Sequence, residues 1–142
     1  MRSLLDVNVL IALLDTDHVG HDTAMRWFRA HAPLGWASCP LTQNGCVRVM
    51  SSRGYPNALP VLAVTQRLAA ACATPLHAFW ADDISWLETT RINASLAHGP
   101  AQLTDLYLLA LAVRHGGRLV TFDRGISRSA VAGATAEHLL QL

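Results

Sequence analysis

The chain has 142 residues, 51% of them hydrophobic and 15% charged, and a net charge of +1. That is enough apolar material for one well-buried domain and too much for a disordered tail or polar linker. Near-neutral charge argues against indiscriminate electrostatic binding to nucleic acid, although charge can still be concentrated locally. All eleven basic side chains are Arg, with no Lys; an Arg grips phosphate with a planar fork, but genome base composition is the first explanation of the bias.

Taken in chain order, Arg2 to Leu5 is short and apolar and ends in Asp6, which suits a buried strand, and Val9 to Leu14 follows as a short helix. His18 to His31 places Ala24, Trp27 and Phe28 at helical spacing. Trp36 to Ser38 suits a second strand, and Pro40 stands where Pro is tolerated, in the first turn of a helix carrying Leu41, Val47 and Met50. Gly54, Pro56 and Pro60 mark a loop. Val61 to Cys72 is then expected to be a helix, His77 to Trp80 a strand and Ile84 to Leu96 a helix. Thr104 is a candidate N-cap for an apolar helix from Asp105 to Arg114, which His115-Gly116-Gly117 ends. Arg118 to Phe122 is the clearest strand, Asp123 follows at once, and Glu137 to Leu142 suits a last edge strand.

Short apolar strands alternating with helices predict an α/β domain over residues 1–142 with a mostly parallel central sheet flanked by helices. Sites in such sheets lie outside the carboxyl ends of the strands. The three cysteines, Cys39, Cys46 and Cys72, form no CxxC and suit small buried hydrophobes in a reducing cytoplasm. The longest apolar run, Leu106 to Val113, is too short to cross a bilayer. Arg2 and the apolar stretch after it resemble a signal peptide, but Asp6 and Asn8 interrupt that stretch and no small-residue cleavage site follows.

Three of the ten acids occupy unusual places. Asp6 closes the first strand, Asp123 closes the last clear strand, and Asp105 opens the apolar helix. In a parallel sheet Asp6 and Asp123 emerge at one edge, beside helix N-termini. A helix N-terminus stabilises a carboxylate by about 0.3–1 kcal/mol, which predicts an ionised Asp105. Three carboxylates held together repel unless a cation sits among them, and an all-oxygen set without Cys or His suits Mg²⁺ or Mn²⁺. Such an ion activates water and neutralises charge during in-line attack on a phosphoryl group. Taken singly, an Asp at a strand end or in a first helical turn is an ordinary turn or capping residue; the joint placement favours the site.

The segments Leu5-Asp6-Val7-Asn8-Val9-Leu10, Leu103-Thr104-Asp105-Leu106-Tyr107-Leu108-Leu109-Ala110 and Thr121-Phe122-Asp123-Arg124-Gly125 resemble the most recognisable motifs of PIN-domain ribonucleases, in particular the VapC toxins of toxin–antitoxin pairs. The resemblance spans essentially the whole chain. It implies a PIN-like three-layer sandwich and cleavage of RNA by a Mg²⁺- or Mn²⁺-activated water, with Asp6, Asp105 and Asp123 as catalytic, metal-holding acids. By the same resemblance Asn8 would position Asp6 or a water, Thr121 would be a supporting hydroxyl near Asp123, and Arg124 would lie beside the substrate; local turn bonding is the plain alternative for Asn8 and Thr121. It further implies a tRNA or rRNA substrate, a small VapB-like antitoxin, a homodimer and a cytoplasmic location.

One position departs from the pattern. Gln43 stands where the family usually places a Glu; a carboxamide brings no negative charge and is no useful base. The matched acids then carry at most three charges, so weaker metal affinity is expected with the fold intact. The alternative reading is a weakened PIN domain that binds RNA or an antitoxin without cutting. A phosphotransfer domain of haloacid-dehalogenase or receiver type also uses a strand-end Asp, but the former wants an Asp where Asn8 stands and both want a Lys. Arg48, Arg53, Arg114, Arg124 and Arg128 are candidates to line an RNA groove, with surface or antitoxin contacts as the alternative. His18 and His21 suit surface or capping roles, Asp82-Asp83 a solvated loop or helix-start pair, and Trp27, Phe28, Trp80, Trp86 and Phe122 core or interface.

Overall fold

The computed structural model describes residues 1–142. Five short strands, β1 (Ser3–Leu5), β2 (Trp36–Ser38), β3 (His77–Phe79), β4 (Arg118–Thr121) and β5 (Leu139–Gln141), form one sheet in the order β3-β2-β1-β4-β5. Every neighbouring pair is parallel. The helices that return the chain are α1 (Val7–Leu14), α2 (His21–His31), α3 (Pro40–Met50), α4 (Val61–Cys72) and α5 (Leu103–Arg114).

Both faces of the sheet are covered, so its central strands are apolar on both sides rather than alternating. Leu4, Ala37 and Leu119 belong to a core shared with α5. The residues beside them, Leu5, Trp36 and Val120, belong to a second core with α1, α3 and α4. Leu4 pairs with Leu119 and Leu5 with Val120, so β1 and β4 end level with each other. Asp6 and the segment after Thr121 therefore leave the sheet at one edge. Gly45 lets α1 and α3 approach closely there, since a Cβ at that position would stand 2.6 Å from Val7 Cγ2.

The helix ends follow local chemistry. Asp6 is the N-cap of α1, its Oδ1 accepting from Val7 N–H at 2.7 Å. Gly116, at φ +63°, closes α5, with Gly117 N–H donating to Ala112 C=O at 2.8 Å and Gly116 N–H to Val113 C=O at 3.1 Å, the paired bonds of a left-handed helix stop.

Two expected elements differ. Ile84 to Leu96 is not a helix; it is a string of turns with a single 3₁₀ turn at Ala94–Leu96. Side chains there compete for the backbone: Ser85 Oγ accepts from Leu87 N–H and Asn93 Oδ1 from Ser95 N–H. Ile84 and Ile92 are drawn into the core individually, and Ile92 bridges to Val131. Thr104 is not the cap of α5 either. A 3₁₀ turn at Pro100–Gln102 runs directly into the helix, which leaves Thr104 inside its first turn.

Candidate active site

Asp6, Asp105 and Asp123 come together at the carboxyl edge of the sheet, each offering an oxygen within 4.8 Å of the others. Asp6 is buried, Asp105 half-buried and Asp123 exposed, so the cluster grades from the core into solvent. They line a cleft of about 520 Å³ with Asn8, Asn44, Arg48 and Thr104 among the other walls.

The Thr121 hydroxyl organises the buried side of this cluster. It donates to Asp6 Oδ2 at 2.6 Å and accepts from Asp123 N–H at 3.0 Å and Asn8 Nδ2 at 3.2 Å. One donor and two acceptor sites are then all in use. Asn8 Oδ1 accepts from Phe122 N–H at 3.2 Å, so Asn8 clamps α1 to the end of β4 and reaches Asp6 only through Thr121. Gln141 Nε2 donates to Asp123 C=O at 2.8 Å, tying that turn to β5.

The electrostatics oppose a bare cluster. Burial, followed by the charges of Asp6 and Asp123, pushes the Asp105 carboxyl up to about 6. A carboxyl at about 6 is still mostly ionised at neutral pH, though it gives up its proton less readily than a free Asp. Burial also raises Asp6, against the lowering bonds from Thr121 and Val7. No salt bridge of the protein involves any of the three acids. A set of hard carboxylate oxygens with no salt-bridge partner, and no sulfur or imidazole, fits a small divalent cation such as Mg²⁺ or Mn²⁺.

The other candidate residues divide. Gln43 does not line the cleft; its Nε2 donates to Ser38 Oγ at 2.9 Å, and Ser38 Oγ lies 2.8 Å from His77 Nε2. Asn44, which sequence reasoning passed over, lines it instead, as does Arg48. The signal was present in helical spacing: Leu41, Asn44, Gly45, Arg48 and Val49 fall on one face of α3. Arg124 is exposed beside Asp123.

Arg114 is removed from the groove candidates, because it lies at the far end of α5, paired with Asp83 at 2.9 Å. Arg128 lines a separate depression with Leu139 and Gln141. Asp82 is not the solvated residue expected: its Oδ2 accepts from Leu41 N–H at 2.9 Å and caps α3, while its Oδ1 is closed to solvent. His18 and His21 make local bonds to Gly20 N–H and Ala12 C=O, as capping residues do.

Comparison with known proteins agrees with this geometry. The family profile described as the PIN domain matches residues 3–132. Ribonuclease VapC44 of Mycobacterium tuberculosis is 52% identical over 142 residues, covering all of both chains. Ribonuclease VapC39 of the same organism is 43% identical over 135 residues, 94% of this chain and 96% of that one. Among solved structures, M. tuberculosis VapC20, described as a Sarcin-Ricin loop cleaving toxin, superposes with a TM-score of 0.60 at 16% identity, covering 93% of this chain and 98% of that one. VapBC2 from Rickettsia felis, bound to a DNA fragment from its promoter, gives 0.57 at 14% identity, covering 87% and 89%. At these identities the two structures speak for the fold.

Proposed function

The chain belongs to the PIN-domain family, and from that premise we propose that it is the ribonuclease toxin of a toxin–antitoxin pair, a metal-dependent endonuclease acting on RNA. The observation that carries this reading is the convergence of three carboxylates, within 4.8 Å and without a cationic partner, in an open cleft. Asp6, Asp105 and Asp123 would hold Mg²⁺ or Mn²⁺, which supplies an activated water and screens the charge that develops on the phosphoryl group.

The remaining residues bind and orient. Thr121 fixes the rotamer of Asp6 and the turn that carries Asp123, the supporting role that outer hydrogen bonds play around metal-holding carboxylates. Asn8 holds Thr121 in register. Arg48, in the wall of the cleft with no salt-bridge partner, would grip the RNA phosphate, and Arg124 would meet the backbone beyond Asp123. Gln43 would act through Ser38, steadying the start of α3. The trio assembles without Gln43, and relatives named as ribonucleases favour an enzyme over a weakened binding module.

The substrate class assigned is structured cellular RNA such as tRNA or rRNA, in the cytoplasm; no helix is long and apolar enough to cross a membrane. An apolar groove of about 240 Å³ between α1, α2 and α4, walled by Leu10, Leu14, Met25, Phe28 and Leu68, would receive the apolar segment of a small VapB-like antitoxin, and the toxin would act as a homodimer of single-domain chains. Incubating antitoxin-free protein with total cellular RNA tests the reading. Discrete fragments that require Mg²⁺ or Mn²⁺ and vanish with Asp6→Asn are expected; no cleavage with any divalent ion would overturn it.

A further inference from the structure

The acid cleft has two walls of opposite chemistry. One is the trio; the other is α3, which brings no carboxylate to the cleft. Strand register sets where that second wall stands. Leu4 pairs with Ala37, so β2 ends level with β1 and α3 springs from the carboxyl edge that carries Asp6. From there Leu41, Asn44 and Arg48 line the cleft in turn. Asn44 adjoins Gly45, whose close approach to Val7 brings α3 level with the residue that follows Asp6. Arg48 comes one helical turn later, about 6 Å along the axis.

The carboxamides around the trio differ in what occupies them. Asn8 is bonded at both ends, to Thr121 and Phe122, Gln43 donates to Ser38 and Gln141 to Asp123 C=O. Each of these holds one element to another. Asn44 is exposed in the cleft wall instead, as is Arg48, so neither is needed to fill the core. A phosphodiester lying on the trio turns anionic oxygens toward this wall. A carboxamide there supplies an N–H donor, and being neutral it does not compete with the trio for a cation.

We propose that Asn44 holds the scissile phosphodiester against the acid trio, its Nδ2 donating to a non-bridging oxygen, while Arg48 takes the phosphate one nucleotide further along the cleft. The inference rests on the ribonuclease reading above. It makes α3 a wall that serves the substrate, in a chain whose Gln43 is bonded to Ser38 and leaves the cation to the three acids. The order of the two residues along α3 then sets their tasks: Asn44 acts where the bond breaks, and Arg48 anchors the strand beside it.

Single-turnover cleavage of total cellular RNA, following one discrete fragment as enzyme concentration is raised, separates these tasks. Asn44→Ala is expected to lower the saturating rate about ten- to a hundredfold, the loss of one hydrogen bond to a charged group, and to leave the salt dependence of half-saturation as it was. Arg48→Ala should chiefly raise the half-saturating concentration and reduce that salt slope by about one. Asn44→Asp should cleave no better than Asn44→Ala, because a carboxylate repels phosphate; cleavage at the wild-type rate would overturn the assignment and point to a ribose hydroxyl, which a carboxylate can accept from. Calorimetric Mn²⁺ titration and the melting temperature in EDTA should be the same for Asn44→Ala and wild type. Weaker Mn²⁺ binding would make Asn44 a metal ligand, and a lowered melting temperature a structural residue, and either would overturn the proposal, as would cleavage by Asn44→Ala at the wild-type rate. In each of these cases the wild type still cleaves and the ribonuclease reading stands. A wild type that cleaves with no divalent ion sinks that reading and this assignment with it.

Discussion

The two ends of α5 treat charge in opposite ways. At its C-terminal end, Asp83 is matched by Arg114 at 2.9 Å and His115 at 3.6 Å, and His115 stacks on Trp80 with ring centroids 4.4 Å apart. Arg114 holds the Asp83 carboxyl below the usual carboxylate range. At the N-terminal end, Asp105 faces two more carboxylates with no salt-bridge partner, and its own carboxyl is raised to about 6. One end is arranged so that its charges settle one another; the other carries an electrostatic tension that only an added cation relieves. Unrelieved tension of this kind marks that end as the candidate site.

Substitutions at the two ends should therefore dissociate activity from stability. Asp105→Asn is expected to lower RNA cleavage on the order of a hundredfold or more, while its melting temperature in EDTA equals or exceeds that of the wild type. A variant that unfolds more easily and still cleaves would break the comparison. Asp83→Asn, at the settled end, should leave the cleavage rate unchanged.

Thr121→Val probes the support of the working end. It leaves Asp6 Oδ2, Asn8 Nδ2 and Asp123 N–H without their shared partner, for a loss of about 1–3 kcal/mol in denaturant unfolding and about ten- to a hundredfold in cleavage. Loss of stability with full activity would show that Thr121 holds the fold alone.

The pH dependence follows from the raised Asp105 carboxyl. The folded chain binds that proton more tightly than the unfolded chain, whose Asp titrates near 3.8. The stabilisation is complete below that value and lost as pH rises through about 6. In EDTA, the melting temperature of the wild type relative to Asp105→Asn should thus fall between pH 4 and pH 7. Mn²⁺ at pH 7 should restore it, and much less so in the variant. A flat difference would remove the tension from the comparison.

The smallest effect concerns Gln43→Glu. The new carboxylate adds negative charge beside the cleft but cannot donate to Ser38, so Ser38 must turn its own hydrogen toward it. Mn²⁺ affinity is expected to rise by a few-fold at most, measured by calorimetric titration. Identical affinity and activity would show that the position has no part in the site.

Much of the molecule was legible in its residues. Trp36–Ser38, Pro40–Met50 and Val61–Cys72 were bounded by local signals alone, because apolar periodicity, Pro and Gly act within a few residues. Asp6 and Asp123 were visible as strand-closing acids for the same reason. Ile84–Leu96 misled because its apolar spacing suits a helix, while Ser85 and Asn93 take the backbone bonds that a helix needs.

What the sequence determined by itself was the alternation of strands and helices and the identity of the three acids. Tertiary structure decided how they meet. It was packing of α3 against α1, tight at Gly45 and Val7, that accompanied Asn44 and Arg48 in the cleft while Gln43 bonds to Ser38. Pairing of β1 with β4 brought a hydroxyl 115 residues away onto Asp6. Local pattern encodes which face of an element is apolar; which polar atoms touch, and which go without a partner, is settled only when distant elements come into register.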